Sequence, residues 1–109
     1  MKDHQTDPVV EEFGARVRRL LGPKVAAIYW FGSRARGEGR DESDYDLFLE
    51  SAAKLSPEDR DRVVRISVEI SGKQGVVMDV HYGTHEQLHG PHRFMTPFRE
   101  TILAEGVLV

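Results

Sequence analysis

Apolar residues recur every three or four positions near the start of the chain. Val9, Val10, Phe13, Val17, Leu20 and Leu21 fall on one side of a helix. Asp7 and Pro8 supply a cap and a proline at the first helical position, and Gly22-Pro23 ends the run. From Val25 to Phe31 the chain is continuously apolar, with β-branched and aromatic residues, as in a strand covered on both faces. Arg34 to Ser43 is charged and glycine-bearing and reads as a loop starting behind Gly32-Ser33. Residues 44–50 then alternate, with Tyr45, Leu47 and Leu49 on one face and Asp44, Asp46 and Phe48 on the other. Ser56-Pro57-Glu58-Asp59 opens a second long helix whose buried side is read as Val63, Ile66, Ser67 and Ile70 with Val64 and Val68. Gly72 and Gly75 close it. A third strand covers 76–82, with Val77, Asp79 and His81 on its more polar face. A last helix is expected over Arg93–Glu105, using Phe94, Phe98 and Ile102, and Gly106 leaves an apolar tail, Val107-Leu108-Val109. That tail is free to add an edge strand or meet a partner. The order α-β-β-α-β-α predicts an α/β fold, an α+β sandwich with a small mixed sheet of three or four strands flanked by helices. The link from Phe31 to Asp44 is short for a crossover, so the first two strands should be antiparallel.

A chain of 109 residues has room for one ordinary core, so residues 1–109 are expected to form a single domain. Its 39% apolar content, with 30% charged residues of both signs, is that of a folded domain and not of a disordered segment. With 15 basic and 18 acidic side chains the net charge is −3, which argues against direct nucleic-acid binding driven by charge. The absence of cysteine excludes disulfides and zinc–thiolate sites. No apolar run is long enough to span a bilayer, and the first residues lack a secretory apolar core. The expectation is a cytoplasmic protein with no membrane partner.

Three aspartates carry the chemistry. Asp44 and Asp46 share one strand face, and Asp79 sits on the polar face of the third strand. If those strands are neighbours, three carboxylates converge, and they repel one another unless cations lie between them. Hard oxygen ligands on a rigid sheet suit Mg²⁺, and a pair of such ions can clamp the attacking and leaving oxygens of a phosphoryl displacement. Gly32-Ser33, at the end of the first strand, lets backbone approach a phosphate closely and offers an amide and a hydroxyl. Arg34, Arg36 and Arg40 behind it bring guanidinium groups suited to phosphate.

Phe31-Gly32-Ser33-Arg34-Ala35-Arg36-Gly37, followed after a ten-residue gap by Asp44-Tyr45-Asp46, resembles the Gly-Ser/Asp-x-Asp motif of the DNA polymerase β-like nucleotidyltransferase superfamily. With Arg36-Gly37 and the short chain, it is most similar to the minimal nucleotidyltransferase (MNT) antitoxins. The resemblance implies a palm-like fold in which Asp44, Asp46 and Asp79 bind two Mg²⁺ ions and serve catalysis. It also implies that Gly32 and Ser33 hold the triphosphate of ATP, with Arg36 touching nucleotide or acceptor. The implied reaction is transfer of a nucleoside monophosphate to a hydroxyl, with a tyrosine of a HEPN-domain toxin as acceptor. Two other readings stand beside it: a non-catalytic module that masks a toxin by contact, and a stand-alone transferase for a small molecule of aminoglycoside type.

His85-Glu86-Gln87-Leu88-His89 matches the H-E-x-x-H zinc-protease motif. Gly83 before it and Gly90-Pro91 after it leave less than two helical turns and no evident third ligand. A surface turn is expected, with adventitious binding of transition metals through His85, His89 and His92.

Overall fold

In the computed structural model, which describes residues 7–37, 44–90 and 99–109, a four-stranded sheet runs in the order β3-β2-β1-β4. The strands are β1 (Val25–Phe31), β2 (Tyr45–Ser51), β3 (Met78–Thr84) and β4 (Val107–Leu108). β1 is antiparallel to β2 and to β4, and β2 is parallel to β3. This is the mixed sheet that the short link between the first two strands implies. The parallel pair needs a crossover, and α3 (Pro57–Gln74) provides it.

β2 is covered on both faces. Tyr45, Leu47 and Leu49 pack with Val10, Phe13 and Val17 of α1 (Pro8–Leu21) and with Val63, Ile66 and Ile70 of α3. On the opposite face Phe48 packs with Tyr29 and Phe31 of β1, Leu88 of α4 (His85–His89) and Ile102 of α5 (Arg99–Glu105). Period-two alternation on β2 thus sorts side chains between two apolar layers. The polar side chains on the second face, Asp46 and Glu50, stand where that layer ends.

Local chemistry fixes the helix ends. The Asp7 carboxylate accepts hydrogen bonds from the Val9 and Val10 amides and, at 3.0 Å, from the Tyr45 hydroxyl, so the cap of α1 also ties that helix to β2. Ser56 caps α3 by accepting from the Asp59 amide, and Gly75 closes the helix at φ 67°, a left-handed conformation that glycine adopts without strain.

Several expectations shift. Leu20, Val64 and Val68 are 39%, 48% and 63% exposed, not buried. An amphipathic helix needs only one apolar stripe, and on α3 Val63, Ile66, Ser67 and Ile70 already supply it. β2 starts at Tyr45 and not Asp44, and β3 at Met78 and not Val76, because the parallel register begins where Tyr45 meets Met78. The loop expected after Phe31 opens instead with a helical turn, α2 (Gly32–Ala35), pinned by the buried Ala35 and by the Arg34 guanidinium stacked 4.4 Å from the Tyr45 ring centre. The last helix is seen as Arg99–Glu105; Phe94, Phe98, His92, Arg40 and Ser43 lie outside the described residues. The apolar tail does form an edge strand, pairing Val107 with Trp30 and Leu108 with Tyr29. Among the described residues no helix is long and apolar enough to cross a membrane.

Candidate active site

The parallel register sets Asp46 directly opposite Asp79 and Phe48 opposite His81. Paired residues in a sheet point to the same face, so both carboxylates and the imidazole converge. One ligand atom each from Asp46, Asp79 and His81 lies within 4.8 Å of the others. On its other side Asp46 pairs with Phe31, whose ring lies 5.8 Å from that of His81 and walls the cluster. The chain then turns over Asp46. Gly32 has φ 85°, and a β-carbon at that position would overlap the Asp46 carboxylate. Glycine is required twice here, for the backbone conformation and for the space.

The electrostatics are those of a site short of positive charge. Burial, followed by the negative charges of Asp79 and Asp44, pushes the Asp46 carboxyl above the ordinary carboxylate range, with His81 opposing. His81 Nε2 lies 3.4 Å from Asp79 Oδ2, an ion pair only when the imidazole is protonated. A divalent cation between the two carboxylates would remove their repulsion, and the predominance of oxygen donors suits a hard ion such as Mg²⁺.

Asp44 stands just before β2, exposed, outside the cluster but near enough for its charge to act on Asp46. Gly32 and Ser33 form the first two positions of α2, where backbone N–H groups have no partner within the helix. Arg36 caps the end of α2, and its Nη1 donates to Glu105 Oε1 at 3.0 Å, which ties this turn to α5. His81, expected only as a position on the polar face of the third strand, belongs to the cluster. Sequence reasoning missed Glu50. It shares the face of Asp46 and Phe48 by the same alternation, and its buried carboxylate lies 2.6 Å from His85 Nδ1 and 3.4 Å from His89 Nε2.

The profile of the family described as nucleotidyltransferase domain matches residues 10–109. No curated protein matches the chain. Among solved structures, one of a toxin–antitoxin with AMP-PNP is 20% identical at a TM-score of 0.62, over 90% of this chain and 70% of that one. A tri-AMPylated Shewanella oneidensis HEPN toxin in complex with MNT antitoxin also contains a similar chain, 17% identical at a TM-score of 0.51, over 90% and 69%. A protein described as a minimal nucleotidyltransferase is 27% identical at a TM-score of 0.54, over 92% and 95%. The family profile agrees with the motif-based resemblance, and these structures share the fold.

Proposed function

Since the chain belongs to the nucleotidyltransferase domain family, we propose that it moves AMP from ATP to a tyrosine hydroxyl of a HEPN-domain toxin and so acts as that toxin's antitoxin in the cytoplasm. The observation that carries this reading is the facing pair Asp46–Asp79 beneath the Gly32 turn. The acceptor oxygen forms a bond to the α-phosphorus, the bond from that phosphorus to the bridging oxygen breaks, and pyrophosphate leaves. Mg²⁺, held by Asp46 and Asp79 with the charge of Asp44 beside them, would supply charge neutralisation at the phosphate oxygens. Gly32 and Ser33 bind the triphosphate through their amides and the Ser33 hydroxyl. Asp46, half-buried, is the fixed anchor of the site. Asp79, with 54% of its side chain exposed, faces the side from which an acceptor approaches and takes up the proton of its hydroxyl. Positioning of acceptor and α-phosphate supplies much of the rate, so the partner must dock over the cleft rim.

The test is incubation with Mg²⁺, ATP labelled at the α-phosphate and a HEPN-domain toxin as partner. Label is expected on that partner, with a mass gain of AMP, and the Asp44→Ala/Asp46→Ala double variant should abolish it. In a parallel reaction with ATP labelled at the γ-phosphate, label on the partner would overturn the reaction type. Full neutralisation of the partner by the double variant at near-stoichiometric concentration would make the chain a masking module.

A further inference from the structure

Glu50 is 2% exposed, and burying a carboxylate is costly unless positive charge or hydrogen bonds meet it. Among the described residues no lysine or arginine pairs with it; its ion-pair partners are His85 and His89. The Tyr29 hydroxyl donates to Glu50 Oε1 at 3.2 Å. His85 and His89 stand one helical turn apart on α4 with ring centres 4.7 Å apart. The fold holds that helix in place. Thr84 and Gln87 form a reciprocal capping box, Leu88 is buried in the second core layer, and the Leu88 carbonyl accepts from Arg99 Nε at 2.8 Å. Gly83, the register partner of Glu50, has no room for a β-carbon because the Phe48 ring fills that space. The Phe48 ring therefore packs directly over β3 just before α4 begins.

We propose that Glu50, His85 and His89 form a transition-metal site, best suited to Zn²⁺, that clips α4 to β2. Two imidazole nitrogens and one carboxylate oxygen are a zinc donor set, with a fourth position left for water. One ligand atom from each of the three residues lies within 4.8 Å of the others. Zinc bonds of about 2.0–2.1 Å in a tetrahedron set neighbouring donor atoms roughly 3.3 Å apart, close to the 3.4 Å between His89 Nε2 and Glu50 Oε1. His85 Nδ1 lies 2.6 Å from the other carboxylate oxygen, Oε2, and its side chain, 62% exposed, has room to move outward to share one ion with His89. Tyr29 would hold the ligating carboxylate from behind, as outer-shell donors do. The site is not that of a zinc protease. Its carboxylate comes from β2, the motif's own Glu86 is exposed, and α4 has five residues.

The experiment uses the full chain, without an added histidine tag, stripped of metal and titrated with Zn²⁺ in millimolar Mg²⁺. One Zn²⁺ per chain is expected, with a rise in melting temperature, and Co²⁺ in its place should give the visible absorption of a tetrahedral ion. The His85→Ala/His89→Ala variant, altered only at exposed positions, should fold and lose at least about 100-fold in zinc affinity. The Asp46→Asn/Asp79→Asn variant should keep it. Zinc bound equally well by wild type and the histidine double variant, or lost in the aspartate variant instead, would overturn the proposal. So would a wild-type chain that takes up no zinc.

Discussion

Asp46 and Glu50 lie on the same face of β2, roughly 13 Å apart at the usual strand rise, and meet opposite surroundings. Glu50 is enclosed: Tyr29, His85 and His89 all reach its carboxylate. Burial, and then Glu50 itself, pushes the Tyr29 phenol up to about 12, so that it stays a donor. Asp46 is half-buried and faces another carboxylate across the register, with a third just before the strand. At one end of the face a phenol and two imidazoles meet the carboxylate; the other keeps a deficit of positive charge beneath a turn whose glycine leaves no side chain in the way. A stable protein tolerates such a deficit only at a modest cost, and here it lies beside the backbone groups suited to phosphate. The difference separates a carboxylate grouped with imidazoles, a donor set for a borderline ion such as Zn²⁺, from carboxylates facing each other, a donor set for Mg²⁺.

The contrast predicts unequal responses to Mg²⁺ and nucleotide. Mg²⁺–AMP-PNP at about 100 times its dissociation constant should stabilise the folded chain by roughly 2.7 kcal/mol. Asp79→Asn removes a repelling charge, so its metal-free stability should equal or exceed that of wild type while the ligand-induced gain disappears. Thermal denaturation with and without ligand measures both. A full ligand-induced gain in Asp79→Asn would place the nucleotide elsewhere.

Gly32 and Gly37 sharpen the comparison, since both have positive φ, 85° and 78°. Alanine at Gly37 meets nothing within 4 Å, whereas at Gly32 it meets Asp46. Each substitution should cost about 1–2 kcal/mol for left-handed backbone. Only Gly32→Ala should also weaken Mg²⁺–AMP-PNP binding, measured by calorimetry beside urea denaturation. Equal nucleotide affinity in the two variants would remove the Gly32 turn from the site.

These two glycines also show what a sequence can carry. The Gly-Ser and Asp-x-Asp spacing located the turn and Asp46 because strand alternation is strict and the gap is short. Asp79 was legible for the same reason, once the strands were taken as neighbours. His81 joins the cluster only through the parallel register with Phe48, which no local pattern encodes. Glu50 needed both that register and the placement of α4. Val64 and Val68 misled because helical periodicity marks a stripe without saying how wide a stripe the sheet covers. The helical start after Phe31 was hidden by glycine and charge, since its anchor is the long-range stacking of Arg34 on Tyr45.

The smallest expected effect is in the pH dependence of the metal-free chain. Asp46 has a raised carboxyl value, so folding favours its protonated form. The stability this gives is complete below the ordinary carboxylate range and is lost as pH rises through the raised value. Asp59 behaves in the opposite sense. Its hydrogen bond from Lys24 lowers its carboxyl value, burial opposing, so its contribution is present above the ordinary range and lost as pH falls through the lowered one. In urea titrations across mildly acidic pH, Asp46→Asn should flatten a gain on acidification, and Asp59→Asn should soften the loss at lower pH. An Asp46→Asn profile parallel to that of wild type would contradict the electrostatic picture of the site.

The most direct measurement is anomalous scattering from a crystal of the chain grown with Mn²⁺, standing in for Mg²⁺, and AMP-PNP. A manganese peak between the Asp46 and Asp79 carboxylates, with the triphosphate against Gly32 and Ser33, is the expected result. Nucleotide bound away from the Gly32 turn, with no manganese between those two aspartates, would contradict it.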